Sequence, residues 1–162
     1  MEYTEKAEAA ENVENVENQR HDDTEKLLRE CNAGIKMGIS SIDEVLPSVH
    51  DGRLKGILEN SRREHADLGD ETHELLLKYD CDTKEPHPVA KGMSWIKTSV
   101  KLMVDPSDKT VAGLMTDGCN MGVKSLNGYL NEYSLADSKA QKLTGRLIDI
   151  EERMADSMAE FL

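Results

Sequence analysis

One spacing constrains this chain more than any other. From Leu28 onward, apolar and small residues recur at Cys31, Ile35, Gly38, Ile42, Val45 and Val49, in alternating steps of three and four. That period keeps all seven on one face of an α-helix, whereas a strand would scatter them over both faces. The signature returns three times: at Leu54, Leu58, Ser61, His65, Leu68, Thr72, Leu75 and Tyr79, at Val111, Met115, Cys119, Gly122 and Leu126, and at Leu143, Leu147, Ile150, Met154 and Met158. Helices with one apolar stripe each bury it only against one another, so the chain is predicted to be all-α.

Punctuation between the stripes sets the topology. Asp22, Asp23 and Thr24 are cap residues, which predicts a first helix over about 24–48, with Pro47 in or just after its last turn. The connection His50-Asp51-Gly52 is so short that the next helix, over about 52–79, must return antiparallel. CDTKEPHP, Cys81 to Pro88, holds two prolines and breaks the pattern. An amphipathic piece with Val89, Met93, Ile96, Val100 and Met103 predicts a short crossover helix over about 89–104. Ser107 or Asp108 can then cap a helix over 108–133, and Ser134–Asp137 turns the chain into a last helix over 137–161. The expected architecture is two tandem antiparallel hairpins joined by a long crossover, over residues 24–162.

Residues 1–23 are compositionally distinct. Glutamate falls at every third position from Glu2 to Glu17, a period that drifts around a helix and leaves no apolar face. The segment is expected to be a disordered or transiently helical acidic tail, with binding of a basic protein partner as the sharper alternative. The whole chain carries a formal net charge of -12, which argues against nucleic acid or an anionic membrane as partner. No apolar run approaches the roughly 20 residues needed to cross a bilayer, and the N-terminus lacks the apolar core of a secretory signal. Three cysteines without a pairing pattern fit reduced thiols in a cytoplasm. One Phe, one Trp and four Tyr leave a core that must be aliphatic and methionine-rich.

A short motif is written twice. CNAGIK begins at Cys31 and CNMGVK at Cys119. Both cysteines fall on a seam, Gly34, Gly38 (opposite Leu126) and Gly122 allow close approach, and Lys36 and Lys124 project outward. Packing inside a duplicated hairpin is one explanation, since a buried cysteine behaves as a small hydrophobe. The other is a redox or soft-metal pair formed by Cys31 and Cys119; without histidines they would make a poor zinc site.

The runs SRREHADLGDETHELL and LMTDGCNMGVKSLNGYLNEY, set in tandem hairpins, resemble the uncharacterised bacterial domains with a ferritin-like four-helix bundle. The resemblance covers about residues 24–162. Ferritin-like di-iron proteins hold their metals with a Glu on two helices and Glu-x-x-His on the other two. This chain departs from that set. Glu64 and His65 are adjacent, Met154 stands where a metal histidine would be expected, and Glu30 and Asp117 are expected to point outward. Asp70 and His73 lie on the outer face. A partial site of Glu64, His65 and Glu151 for a single iron or manganese ion is the alternative to a plain core histidine satisfied by Glu64, Glu151 or an asparagine. His21, His50, His73 and His87 sit in the tail, turns or outer faces, and Trp95 is expected to cover the bundle or an oligomer contact.

No nucleotide loop, nucleophile elbow or zinc spacing is present. The expectation is a non-enzymatic ferritin-like bundle, a binding, structural or stress-associated protein with no cofactor, pairing as a homodimer through an exposed helix face. The alternative is a metal-binding or redox protein of the same superfamily.

Overall fold

A computed structural model describes residues 2–79 and 102–162, all of them helix, turn or coil. Four long helices carry the fold: α1 over Glu2–Val45, α2 over Gly52–Lys78, α3 over Asp108–Glu132 and α4 over Ser138–Met158. A 3-10 turn over Leu46–Ser48, with Pro47 inside it, closes α1, and another over Ala159–Phe161 closes α4. Of the crossover helix expected over about 89–104, the part up to residue 101, with Trp95, lies outside the described residues, as do Cys81 and His87 before it. Residues 102–104 are helical, and Leu102 is buried in the core. No described helix is long and apolar enough to cross a membrane.

Caps fix two helix starts where the sequence offers them. The Asp51 carboxylate accepts from the Arg53 and Leu54 amides at 2.7 and 3.0 Å, and Ser107 Oγ accepts from the Thr110 amide at 3.2 Å. Asp108 then ties α3 to the α1–α2 turn by accepting from the His50 and Asp51 amides at 2.7 and 3.1 Å.

The start of α1 differs from expectation. The acidic segment is helical from Glu2, and α1 runs 44 residues without a break. Residues 6–21 are all exposed, and burial begins at Asp23 and Thr24. Position 23 is therefore a burial boundary inside one helix. Asp23 and Thr24 cap no start of α1. They serve the α3–α4 turn instead: Asp23 Oδ2 accepts from the Leu135 amide at 3.1 Å, and Thr24 Oγ1 accepts from the Asp137 amide at 2.8 Å.

Packing is densest for α3 on α4 and α1 on α2, and α4 also lies against α1 and α2. The end contacts orient the helices. Tyr79, at the end of α2, donates its hydroxyl to Asp137 at the start of α4 at 2.7 Å, while Asp108 at the start of α3 sits on the α1–α2 turn. Hence α2 and α3 run the same way, and the chain between them joins opposite ends of the bundle. Arginine–carboxylate pairs clamp neighbours across the surface: Arg62–Asp43 ties α2 to α1, and Arg146–Glu71 and Arg153–Glu64 tie α4 to α2. Exposed pairs of this kind contribute about 0.2–1 kcal/mol each.

The core is in two blocks. One gathers Leu27, Leu28, Cys31, Ile35, Leu68 and Leu147. The other gathers Ile42, Val45, Leu54, Leu58, Met115, Met154 and Met158. Between Ile35 and Ile42 on α1 the stripe is interrupted by Gly38, and between Leu58 and Leu68 on α2 it turns polar at Ser61 and His65. That interruption is the only place where a buried charge pair crosses the interior among the described residues.

Candidate functional site

The polar layer is built by three helices on a shared seven-residue register. His65 on α2 and Glu151 on α4 point inward and meet, His65 Nε2 lying 3.3 Å from Glu151 Oε1. His65 is fully buried and Glu151 is 7 % exposed. Gly38 on α1 supplies the room: a Cβ built there would lie 2.5 Å from His65 Nε2 and 2.6 Å from Cδ2. Gly122 on α3 does the same for the acid, with a hypothetical Cβ 3.4 Å from the Glu151 carboxyl carbon and Oε2. The sequence pattern set Gly38 opposite Leu126; in the fold Gly38 faces His65, and it is Gly34 that faces Leu147 and Leu126.

Hydrogen bonding fixes the histidine. Nδ1 lies 2.8 Å from the Ser61 carbonyl one turn earlier. A carbonyl only accepts, so Nδ1 carries a hydrogen and Nε2 faces the carboxylate. Two lone pairs at that distance would repel, so one proton sits between ring and acid. Burial alone lowers the affinity of His65 for its proton; the hydrogen bond to Glu151, the Ser61 carbonyl, and the charges of Glu151 and Glu64 outweigh it, and the net shift is upward. The upward shift favours an imidazolium facing the acid.

Cys119 borders the same acid from α3. Its thiol is held far above its ordinary range, first by burial and then by the charge and hydrogen bond of Glu151. Cys31 lies in the other layer, where burial pushes its thiol up to about 11 despite hydrogen bonds with Thr144 and Thr72. Thr144 and Thr72 are each seven positions from Glu151 and His65, as Cys31 is from Gly38. Seven helical residues rise about 10 Å, so the two thiols occupy different layers and different core blocks. Burial favours the protonated form of both, and they lie in separate layers of the bundle.

The triad of Glu64, His65 and Glu151 is not brought together as a set. Glu64 turns to the surface and receives Arg153 at 3.1 and 3.4 Å. Both His65 ring nitrogens are engaged within the protein. Among the described residues no group of three or more His, Cys, Asp or Glu is placed to hold a metal ion. Asp67, Asp70, His73 and Asp117 are exposed.

Glu151 also forms part of a cavity that the sequence reading did not anticipate. A space of about 330 Å³ opens between α1 and α3, lined by Gly34, Gly38, Gly118 and Gly122, by Met37, Met115, Met121 and Met154, and by Cys119, Leu126 and Tyr129. Its charged lining residues are Glu151 and Glu30, both acidic. Glu30 was expected to point outward, and it borders the opening instead. The signal for this cavity was in the sequence: glycines four apart on α1 and again on α3, which remove side chains from one face of each helix. A larger, shallower groove of about 440 Å³ between α2 and α4 is lined by Arg53 and Arg153, but both arginines are already paired, with Glu160 and Glu64.

The arrangement can hold a proton and present a carboxylate to a small, mostly apolar space. Among the described residues it shows no nucleophile–base pair, since the neighbouring thiol of Cys119 is held protonated and the His65 imidazole is engaged on both nitrogens. No protein-family model, curated protein or solved structure matches this chain.

Proposed function

We propose that this chain is a non-catalytic, small-molecule-binding protein built on a ferritin-like bundle of two tandem hairpins. The observation that carries the binding reading is Glu151, a nine-tenths buried carboxylate lining a cavity of about 330 Å³ between α1 and α3. A buried charge facing open space is costly unless something completes its hydrogen bonding. The volume sits at the lower end of the range for small-molecule sites, about 300–1,000 Å³. Methionine lining adapts to irregular apolar shapes.

The ferritin-like part of the proposal draws support from the ends of the helices. Tyr79 against Asp137 and Asp108 against the α1–α2 turn require a connection running the length of the bundle, as in bundles with one long crossover. The repeated CNxG(I/V)K motif, 88 positions apart in α1 and α3, supports descent from a doubled hairpin. The proposal includes no resident metal. A site made of Glu64, His65 and Glu151 would have to break the Arg153–Glu64 pair and free one imidazole nitrogen. Metal analysis after iron and manganese loading tests this, and a stoichiometric ion lost in His65→Ala would reverse it.

Binding itself is tested with three six-carbon probes, hexylammonium, 1-hexanol and hexanoate, by calorimetric titration against the wild type and Gly118→Phe. Gly118 lines the cavity, and a Cβ there meets no atom within 4 Å, so an aromatic ring can occupy the opening without backbone strain. At least one probe is expected to bind the wild type and lose its site in Gly118→Phe. Three probes without binding would dismiss the proposal.

A further inference from the structure

The cavity's lining is acidic: among the described residues neither a lysine nor an arginine lines it, and its charged groups are Glu151, which His65 holds from behind, and Glu30. His65, the imidazole that holds Glu151, is not among the lining residues, so it contacts the acid from the side away from the cavity. A carboxylate has about four acceptor positions. His65 Nε2 takes one, at 3.3 Å on Oε1, and the Cys119 thiol is a weak donor. The face toward Gly122 is left bare because that residue has no side chain. Among the described residues the rest of the wall is mostly methionine, leucine and glycine, with Ser41, Ser125 and Tyr129 as its uncharged polar groups, and its apolar stretch suits an apolar body.

We infer that the cavity between α1 and α3 is a site for an organic cation, a primary amine with an apolar body, whose ammonium binds the free face of the Glu151 carboxylate. An ammonium offers three donors and no acceptor, which complements an acid already anchored at Oε1 by His65. The apolar body lies along Met37, Met115, Leu126 and Met154, and the glycines of α1 and α3 leave it room. Glu30 lies at the border of the same space and adds attraction for a cation over an anion or neutral molecule. The half-filled acceptor set of Glu151 separates the classes. A neutral hydroxyl gives that acid one ordinary hydrogen bond, an ammonium gives a charge-assisted one, and a carboxylate is repelled.

This inference rests on the cavity-binding reading above, and the same three probes separate the two. Hexylammonium is expected to bind at least about tenfold more tightly than 1-hexanol, the margin of one charge-assisted hydrogen bond, with hexanoate weakest. Glu151→Gln is expected to bring the amine down to the affinity of the alcohol. Equal or tighter binding of 1-hexanol or hexanoate would overturn the cation assignment and leave the cavity reading standing, while no binding by any probe would remove both. Because the chain has a net charge of -12, amines also condense on its surface. Gly118→Phe keeps every charge and closes only the cavity, so hexylammonium binding that survives this change would overturn the site. If Glu151→Gln does not fold, the wild-type order of the probes decides. A shift of the Glu151 carboxyl carbon resonance on amine addition then locates the contact, and an unmoved resonance counts against it.

Discussion

Gly38 decides more than its size suggests. Replacing a helical glycine by alanine ordinarily stabilises by about 0.5–1 kcal/mol. Here the new methyl would sit 2.5 Å from an imidazole nitrogen that is pinned from both sides, by the Ser61 carbonyl and by Glu151. Overpacking a fixed neighbour costs about 1–3 kcal/mol, so the clash wins. Gly38→Ala is expected to lower the urea unfolding free energy by about 1–3 kcal/mol, and Gly118→Ala, whose methyl meets open space, to raise it by about 0.5–1 kcal/mol. Equal gains at both positions would show that His65 is free to move. The same histidine sets a pH dependence. Glu151 on α4 meets it directly, Glu64 on its own helix acts on it by charge, Cys119 on α3 borders the same acid, and α1 places Gly38 against it. Its folded pKa is raised above the ordinary histidine value of about 6.5, so the folded state holds the proton more tightly than the unfolded chain. The contribution is complete below that value and lost as pH climbs through the raised one. Unfolding free energy measured over that interval should fall with rising pH, and His65→Gln should flatten the fall. A wild-type profile that rises or stays level would contradict the imidazolium–carboxylate assignment.

Among the helices, α1 is where sequence and structure part most. The seams of α2, α3 and α4 were legible because burial writes itself as a 3-4 spacing: Leu54, Leu58, Ser61, His65 and Leu68 are all buried, as are Val111, Met115, Cys119 and Leu126. The acidic segment has no such spacing, since Glu2 to Glu17 step around every face, and nothing in its pattern asks to be buried. Helicity there needs only a nucleus, which the packed part of α1 provides, and glutamate and alanine then propagate it cheaply. Cap residues misled for a related reason. Asp23 and Thr24 read as a helix start, yet they accept amides from a turn 112 and 113 positions away, a partnership that no local pattern records. The two halves of α1 should therefore respond differently. Deleting residues 2–18 is expected to reduce helical circular dichroism and leave unfolding free energy within about 0.5 kcal/mol, because exposed segments contribute little. Thr24→Val should cost about 1–3 kcal/mol by orphaning the Asp137 amide. A truncation as costly as Thr24→Val would show that the acidic half of α1 is docked.

Across the whole molecule, the charge pair, the cavity and the two thiols form one pattern of unequal stability. Both cysteines are buried, Cys31 fully and Cys119 to 1 % exposure, and both thiols are held in the protonated form, so neither reacts without an opening motion. The openings differ. Cys31 is enclosed by Thr72 and Thr144 within the block that holds Leu27, Leu28 and Leu147, and exposing it means separating α1 from α2 and α4 together. Cys119 borders the space between α1 and α3, where glycines line an opening in place of interlocking side chains, so a local parting of two helices suffices. Regions with few apolar contacts open at lower free energy than the core. In a Cys81→Ser background, Cys119 is expected to react with a thiol reagent at least about tenfold faster than Cys31, a difference of about 1.4 kcal/mol in opening free energy. Cys31 should track global unfolding across a urea series, and Cys119 should depart from it at low urea. The paired charges make the contrast sharper, since parting α1 from α3 leaves the His65–Glu151 contact between α2 and α4 intact. Identical rates with identical urea dependence would mean that the bundle opens only as a unit, and that the space between α1 and α3 is as firmly closed as the leucine core.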